Sequence, residues 1–390
     1  MYRSFNRNIK AKELLKIPFM NLTRSLISLP LQRLHDKLNP VMTQFGEYNM
    51  PITFKNFKTK EIVTNIRKDN SCCVFDVSHM GIIDMYHKNS LTSLNNFLES
   101  KFPLNSDVLK ENRSVLSVIL DKHCSVIDDF IIGNVDNKKY RFVVNSLTKN
   151  SFFDYLVDEI EDQNIIIKPR NKIIIAVQGN KSQNILENII DIDLSNVSFM
   201  NNKSVNDIEI SRCGYTGEDG FELYLNETDG LNIYSKIIDI SHTNNNVYFA
   251  GLLERDILRT EAGFLLSGKD FGDNLNINLN DTLLNFTLGK KRRNNMDFKG
   301  AANFNNNQYR QSGFEYNKPI KEANIYNENQ ENIGFVTSST MSYSKNKFIG
   351  IGYLKKNFHG KYIYFTNGDV KHIISEVKLP FLKHNYYKIK

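Results

Sequence analysis

An α+β fold whose last third is all β is what this sequence predicts. Strand-like runs outnumber helical ones along the chain, helical spacing fades after about residue 300, and no internal repeat is present. At 390 residues the chain exceeds one ordinary core, so two or three domains are expected. Its 41% hydrophobic content suffices for buried cores, and its 24% charged content is average for a soluble globular protein. No apolar run approaches the ~20 residues that a membrane-spanning helix requires, so no membrane association is expected.

The first ~30 residues stand apart from the rest. Arg3, Arg7, Lys10, Lys12, Lys16 and Arg24 face a single acid, Glu13, with Leu14, Leu15, Ile17 and Phe19 between them; Pro18 interrupts any one long helix. A basic, acid-poor leader of this kind is the pattern of an organellar transit peptide, and mitochondrial import is expected. Past it, Val115 to Leu120, Val126 to Ile132, Arg141 to Val144 and Ile173 to Val177 predict strands. Phe152, Phe153, Leu156, Val157 and Ile160 fall at helical spacing, with Ser151 as the expected N-cap and Asp154 in the first turn. Ile185, Leu186, Ile189 and Ile190 repeat that spacing, and both stripes read as core faces. Gly251 to Gly263 reads as a helix that closes at Gly263. Short strands such as Ile333 to Thr337 and Phe348 to Tyr353 then alternate with polar turns, which predicts a C-terminal barrel or sandwich. The short asparagine tracts fall where loops are expected and carry no chemistry.

A net charge of +7 suits an acidic partner or a polyanionic ligand and does not imply nucleic acid. Cys72, Cys73, Cys124 and Cys213 match no zinc spacing, so free thiols and no metal are expected.

Four segments carry side chains suited to chemistry. In Val126 to Ile132 two carboxylates, Asp128 and Asp129, interrupt an apolar strand. In a regular strand they point to opposite faces, so at most one faces a cleft; a bulge or strand end is the structural alternative. Arg212 to Glu222 holds three glycines, which imply a tight turn with positive φ and a close backbone approach. Beyond that turn Phe221, Leu223 and Leu225 share one strand face and Glu222 and Tyr224 the other, where a carboxylate beside a phenol suits a flat heterocycle with adjacent N–H donors. Arg255 and Arg259 are spaced i,i+4 and repel unless offset; Asp256 is the local partner, an anionic ligand or Glu222 the distant one. Lys290 to Arg293 is a basic run, either a solvated face or a dock for an acidic protein or glutamate tail.

Together these segments resemble the aminomethyltransferase family, and the resemblance runs from near Met42 to Lys390. Its pieces occur in family order: Phe75 to Met80, Ile127-Asp128-Asp129, Val143-Val144-Asn145, Gln178-Gly179, Arg212 to Gly220, Arg255-Asp256, Glu261-Ala262-Gly263, Thr287 to Lys290, Met296-Asp297-Phe298 and Asn385-Tyr386-Tyr387. The family resemblance implies a three-domain cloverleaf around a central folate channel, with a β-barrel as the C-terminal domain. It implies a transit peptide over 1–33, a first domain from 34–80 and 166–252, a second from 81–165 and 253–299, and the barrel over 300–390. By motif position, Asp129 is the catalytic carboxylate; Glu222, Arg255 and Tyr386 bind substrate or folate, and Asn145 lines the same channel.

The reaction so implied is that of the glycine cleavage system in the mitochondrial matrix. A lipoylated carrier, the H-protein, presents an aminomethyl group; tetrahydrofolate takes the carbon, and ammonia leaves. A fixed carboxylate there orients the amine and stabilises developing positive charge. Departures from the family pattern are Cys124 and Ser125 in place of two glycines, Asn180 and Leu279 in place of prolines, and Ser267 in place of tyrosine; a changed turn before Asp129 is expected from the first. A second reading, a folate-binding factor for iron–sulfur cluster assembly, is marked by a Lys-Gly-Cys motif ending in Gly-Gln-Glu. The comparable stretch here is Leu266-Ser267-Gly268-Lys269-Asp270, which favours the enzyme.

Overall fold

Ile173–Gln178 is buried at every position, and its alternate side chains feed two different cores: Ile173, Ile175 and Val177 one, Ile174 and Ala176 the other. That doubly buried strand is the centre of a six-stranded sheet in the computed structural model, which describes residues 26–387 except 69, 137–138, 245, 273–274, 321–322, 361–362 and 368–369. The sheet order is Asn202–Val205, Ile208–Ser211, Gly220–Leu225, Ile173–Gln178, Cys72–Asp76, Val247–Phe249. All its pairs are antiparallel except the last, where Val247–Phe249 runs parallel to Cys72–Asp76.

A second, antiparallel sheet has the order Ser114–Leu120, Val126–Asn134, Lys139–Val144, Gly81–His87, Ile165–Arg170. Helices Leu91–Lys101 and Lys149–Glu159 cover it through Phe97, Phe152 and Leu156, and Phe102, Phe130, Phe142 and Phe152 form the centre of that core. Ile165–Arg170, which spans the expected domain limit at 166, pairs along its length with Gly81–His87 and so belongs to this second sheet. Helix Lys149–Glu159 also starts earlier than Ser151. Thr148 holds the N-cap position without a capping hydrogen bond from its side chain, because its hydroxyl is turned to Asp128.

The C-terminal strands close into a six-stranded barrel in the order Tyr309–Tyr316, Lys347–Lys355, Asn332–Ser342, Ala323–Asn327, Ile363–Asn367, Val370–Val377. Closure leaves no free sheet edge, which distinguishes the barrel from the sandwich that the spacing equally allowed. With the two sheets it completes the three-domain α+β architecture.

A central helix, Leu252–Glu261, links the N-terminal segment to the barrel. Its Glu254 accepts hydrogen bonds from Thr53 and Thr59, its Arg259 donates to Ser338 of the barrel, and its Glu261 accepts from Ser342. As the sequence predicts, it ends at Gly263, whose φ is +75°.

The leader residues Arg3 to Arg24 lie outside the described residues. The last part of the expected 1–33 leader does not: Ile27–Ser28 pairs in parallel with Tyr48–Phe54, and Leu29 and Leu31 are buried, Leu31 within the main core of the first sheet.

Candidate active site

The acidic pair sits at a β-bulge. Ile119 lies opposite Asp128 and Leu120 opposite Val126, so Ile127 is the extra residue in the strand. Just before it Cys124 holds φ +65°, the left-handed conformation that favours glycine. The turn therefore keeps a glycine-like shape with cysteine in it.

Asp128 is 2% exposed, and its carboxylate accepts four hydrogen bonds: from Asn145 Nδ2 at 2.8 Å, Thr148 Oγ1 at 2.5 Å, Ser267 Oγ at 2.6 Å and the Asp129 amide at 2.9 Å. Asp129 is half-buried. The same Asn145 nitrogen donates to its Oδ1 at 2.8 Å and to its carbonyl at 2.9 Å. Alternation still gives the two acids different exposure, but the bulge and Asn145 bring both carboxylates to one amide. Burial raises the Asp129 pKa to about 7, with the Asp128 charge adding to the rise. Burial also raises Asp128, against the pull of its Ser267, Thr148 and Asn145 donors.

The glycine-rich turn makes its close approach to protein. A Cβ at Gly214 or Gly220 would stand 1.7 Å or 2.6 Å from the Gln178 side chain, and Gly217 has φ +77°. Gln178 donates to the Cys213 carbonyl at 3.0 Å and accepts from Thr216 at 3.0 Å. Arg212 grips Asp219 with two bonds, at 2.9 and 2.6 Å, and lies 3.7 Å over the Tyr387 ring. Asn385 donates to Gly217 O and to Glu218, so the C-terminal tail is stitched to the turn. Tyr386 is thereby stacked on Phe199, centroids 3.9 Å apart.

Glu222 and Tyr224 share a face, and the Tyr224 hydroxyl donates to Glu222 Oε2 at 3.0 Å. Burial and the adjacent Glu222 hold the Cys213 thiol well above its usual range. The two arginines at i,i+4 divide their roles. Arg259 takes the local partner Asp256 at 2.7 Å and adds Asp270 at 2.7 Å. Arg255 lies 4.9 Å from the Tyr215 ring centroid, and its Nη1 is buried without a hydrogen-bond partner. Burial lowers its pKa and the Glu222 charge opposes that, so Arg255 and Glu222 sense each other. Arg255 borders a small cleft with Met50, Asp76, His79 and Gly251. Burial, aided by Arg255, lowers the His79 pKa to about 3, so this imidazole is neutral.

Burial raises the Tyr215 phenol above its usual range, with the Asp129 charge adding to the rise and Arg259 and Arg255 opposing it. Its hydroxyl donates to Leu265 O at 2.5 Å. Sequence reasoning missed Tyr215 and Phe199, and it also missed Arg67. That guanidinium pairs with Glu218 at 2.7 Å and Glu261 at 3.0 Å and donates to Thr216 O, fixing the turn against the central helix.

The basic run splits. Arg292 is buried, pairs with Asp297 at 3.3 Å and donates to Glu99 O; Lys290, Lys291 and Arg293 are exposed. Arg293 donates to Asn285 O, beside Phe286, which is 65% exposed. Among the described residues no group of His, Cys, Asp and Glu is placed to hold a metal.

Two family models match the chain: the GCVT N-terminal domain over residues 31–291 and the glycine cleavage T-protein C-terminal barrel domain over 310–383. An aminomethyltransferase of Thermosipho melanesiensis is 30% identical over 372 residues, covering 91% of this chain and 96% of that protein. A mitochondrial aminomethyltransferase of Dictyostelium discoideum is 29% identical, covering 95% and 96%. A probable mitochondrial aminomethyltransferase of Schizosaccharomyces pombe is 28% identical, covering 93% and 95%. The crystal structure of glycine cleavage system aminomethyltransferase T from Bartonella henselae superposes with a TM-score of 0.83 at 24% identity, over 93% of this chain and all of that one.

Proposed function

The chain belongs to the glycine cleavage T-protein family of aminomethyltransferases, and from that premise we propose that Asp129, Asn145, Glu222, Arg255 and Tyr386 form its one-carbon transfer site. The activity is transfer of the one-carbon unit of an aminomethyl group to tetrahydrofolate with release of ammonia. None of the relatives above supports the iron–sulfur assembly reading.

The observation that carries the site assignment is the desolvated Asp129 carboxylate held by Asn145, together with the buried, partnerless nitrogen of Arg255 over the Tyr215 ring. The residues fit a folate. The Glu222 carboxylate has acceptor capacity beyond its Tyr224 bond for adjacent N–H donors, the Tyr386–Phe199 stack offers an aromatic wall, and Arg255 awaits an acceptor. Tetrahydrofolate supplies the nitrogen atoms that receive the carbon. Asp129, ionised, stands where positive charge develops as the amine departs, and Asn145 fixes its direction beforehand, so little reorganisation is needed in the transition state. The neutral His79 adds no competing charge beside Arg255.

The aminomethyl donor on this reading is a lipoylated H-protein, docked through the exposed Lys290, Lys291 and Arg293. Location in the mitochondrial matrix is supported by the basic leader and by the mitochondrial relatives. The leader then ends before Ile27, since Leu29 and Leu31 belong to the core. On this reading the two-part first and second domains divide at 80 and 252 as the family pattern has it, and the pairing of Ile165–Arg170 with Gly81–His87 favours a limit between them at 170 over one at 166.

Binding of tetrahydrofolate to Glu222→Gln and Arg255→Ala, measured by titration calorimetry, tests the reading. Each variant is expected to bind at least ~10-fold more weakly, the loss typical of a charge-assisted hydrogen bond. Unchanged affinity in both variants overturns it.

A further inference from the structure

Two segments, one 17 to 20 residues and the other 139 residues away in sequence, meet on one buried carboxylate. Asp128 takes hydrogen bonds from Asn145 and Thr148, on the segment after Lys139–Val144, and from Ser267, on the loop between the central helix and residue 272. The Ser267 loop is closed by its own backbone hydrogen bonds. Gly268 N donates to Phe271 O, and the amides of Lys269 and Asp270 donate to Leu266 O. Asp270 is pinned by Arg259 of the central helix and by Thr337 and Ser338 of the barrel, and the Tyr353 hydroxyl donates to its carbonyl. A serine oxygen 2.6 Å from Asp128 is thus held from the barrel side of the molecule. Asp129 has no such anchor on this side; it is fixed by Asn145, which Asp128 shares.

We propose that Ser267 is a positioning residue for the transfer reaction: seated by the barrel, it holds Asp128, and Asp128 with Asn145 sets the direction and charge of Asp129. The proposal rests on the assignment of Asp129 as the carboxylate at the reacting centre. Ser267 touches neither Asp129 nor the Glu222–Arg255 group in any hydrogen bond of this structure, so it acts through Asp128.

The charged group acting on Asp129 is Asp128. From the glycine-rich turn Tyr215 faces Asp129 as a neutral phenol, and Arg255, Arg259 and Asp270 act on Tyr215. Removing the serine hydroxyl takes a donor from the ionised pair, so the pair binds its first proton at higher pH. Replacing Asp128 by asparagine removes the like charge, so Asp129 binds its proton at lower pH. The two changes therefore move the acid limb of the rate profile in opposite directions.

The experiment is the pH profile of kcat, with aminomethylated carrier protein and tetrahydrofolate as substrates, for Ser267→Ala, Ser267→Thr, Asp128→Asn and Asp129→Asn. Ser267→Ala is expected to lose about 10-fold in kcat, with little change in KM for tetrahydrofolate and an acid limb moved to higher pH. Ser267→Thr, which keeps the hydroxyl, restores the wild-type profile, and Asp128→Asn moves the limb to lower pH. A wild-type profile for Ser267→Ala, or a loss that threonine does not rescue, overturns the proposal. An Asp129→Asn variant with full activity overturns the site assignment instead, and the two failures are separate readings of one data set.

Discussion

The Asn145 side-chain nitrogen donates to the Asp129 carboxylate at 2.8 Å and to the same residue's carbonyl at 2.9 Å, clamping side chain and backbone together. An acid placed this way has lost rotamer freedom before substrate arrives. Asn145→Ala is expected to lower kcat at least ~10-fold, because a misdirected carboxylate stabilises the developing charge poorly. Asn145→Asp, with three acids adjacent, is expected to be worse than alanine; steady-state kinetics that rank the two the other way refute the clamp.

Asp129 also carries a stability signature. Its folded pKa, raised to about 7, exceeds the ordinary aspartate value of about 3.9, so the folded protein binds more protons than the unfolded chain between those limits. Stability from this group is full below about pH 4 and is lost as pH rises through about 7. Asp129→Asn should therefore come nearest the wild type in Tm at about pH 4 and exceed it at pH 8, while its activity falls. Thermal unfolding at both pH values checks this; an asparagine variant destabilised at pH 8 contradicts it.

Arg255 and Arg259 should separate binding from stability. Arg259→Ala strands Asp270 inside the protein and is expected to cost about 3–5 kcal/mol of stability. Arg255 has an unpartnered Nη1, so Arg255→Ala should cost far less stability while raising the KM for tetrahydrofolate. Denaturant unfolding and kinetics on both variants give the answer, and comparable destabilisation by the two would reject this division.

Much of this site was readable from local pattern. The acid pair shows itself because charges rarely interrupt an apolar strand, and the Glu222–Tyr224 face follows from a period of two, here realised as a 3.0 Å hydrogen bond. The division between Arg255 and Arg259 was not readable, since the partner that decides it, Asp270, arrives on a later loop. Arg67 looked like an ordinary basic position between Ile66 and Lys68, and only the folded chain brings Glu218 and Glu261 to it. The same is true of Ser267 and Thr148. The bulge at Ile127 was one of the open alternatives, and its effect on Asp128 depends on a neighbouring strand that spacing does not reveal.

Carrier docking should follow exposed charge. Replacing Lys290, Lys291 and Arg293 with glutamine is expected to raise the KM for the carrier, with a smaller effect at high salt because exposed charges are screened beyond about 10 Å at 0.1 M. Tetrahydrofolate KM should not move. Arg292 is left out because it is buried and holds Asp297 and Glu99 O. An unchanged carrier KM at low salt would return these side chains to an ordinary solvated face.

The most direct measurement is a single turnover of Asp129→Asn beside the wild type at pH 8, where the wild-type carboxylate is ionised. Each protein is mixed with aminomethylated carrier and tetrahydrofolate, and methylene-tetrahydrofolate and ammonia are followed together. The wild type should form both in equal amounts, and Asp129→Asn should do so at least ~100-fold more slowly with tetrahydrofolate affinity little changed, because charge is removed and shape is kept. Equal rates in the two proteins would contradict the central claim that the Asp129 carboxylate drives the transfer.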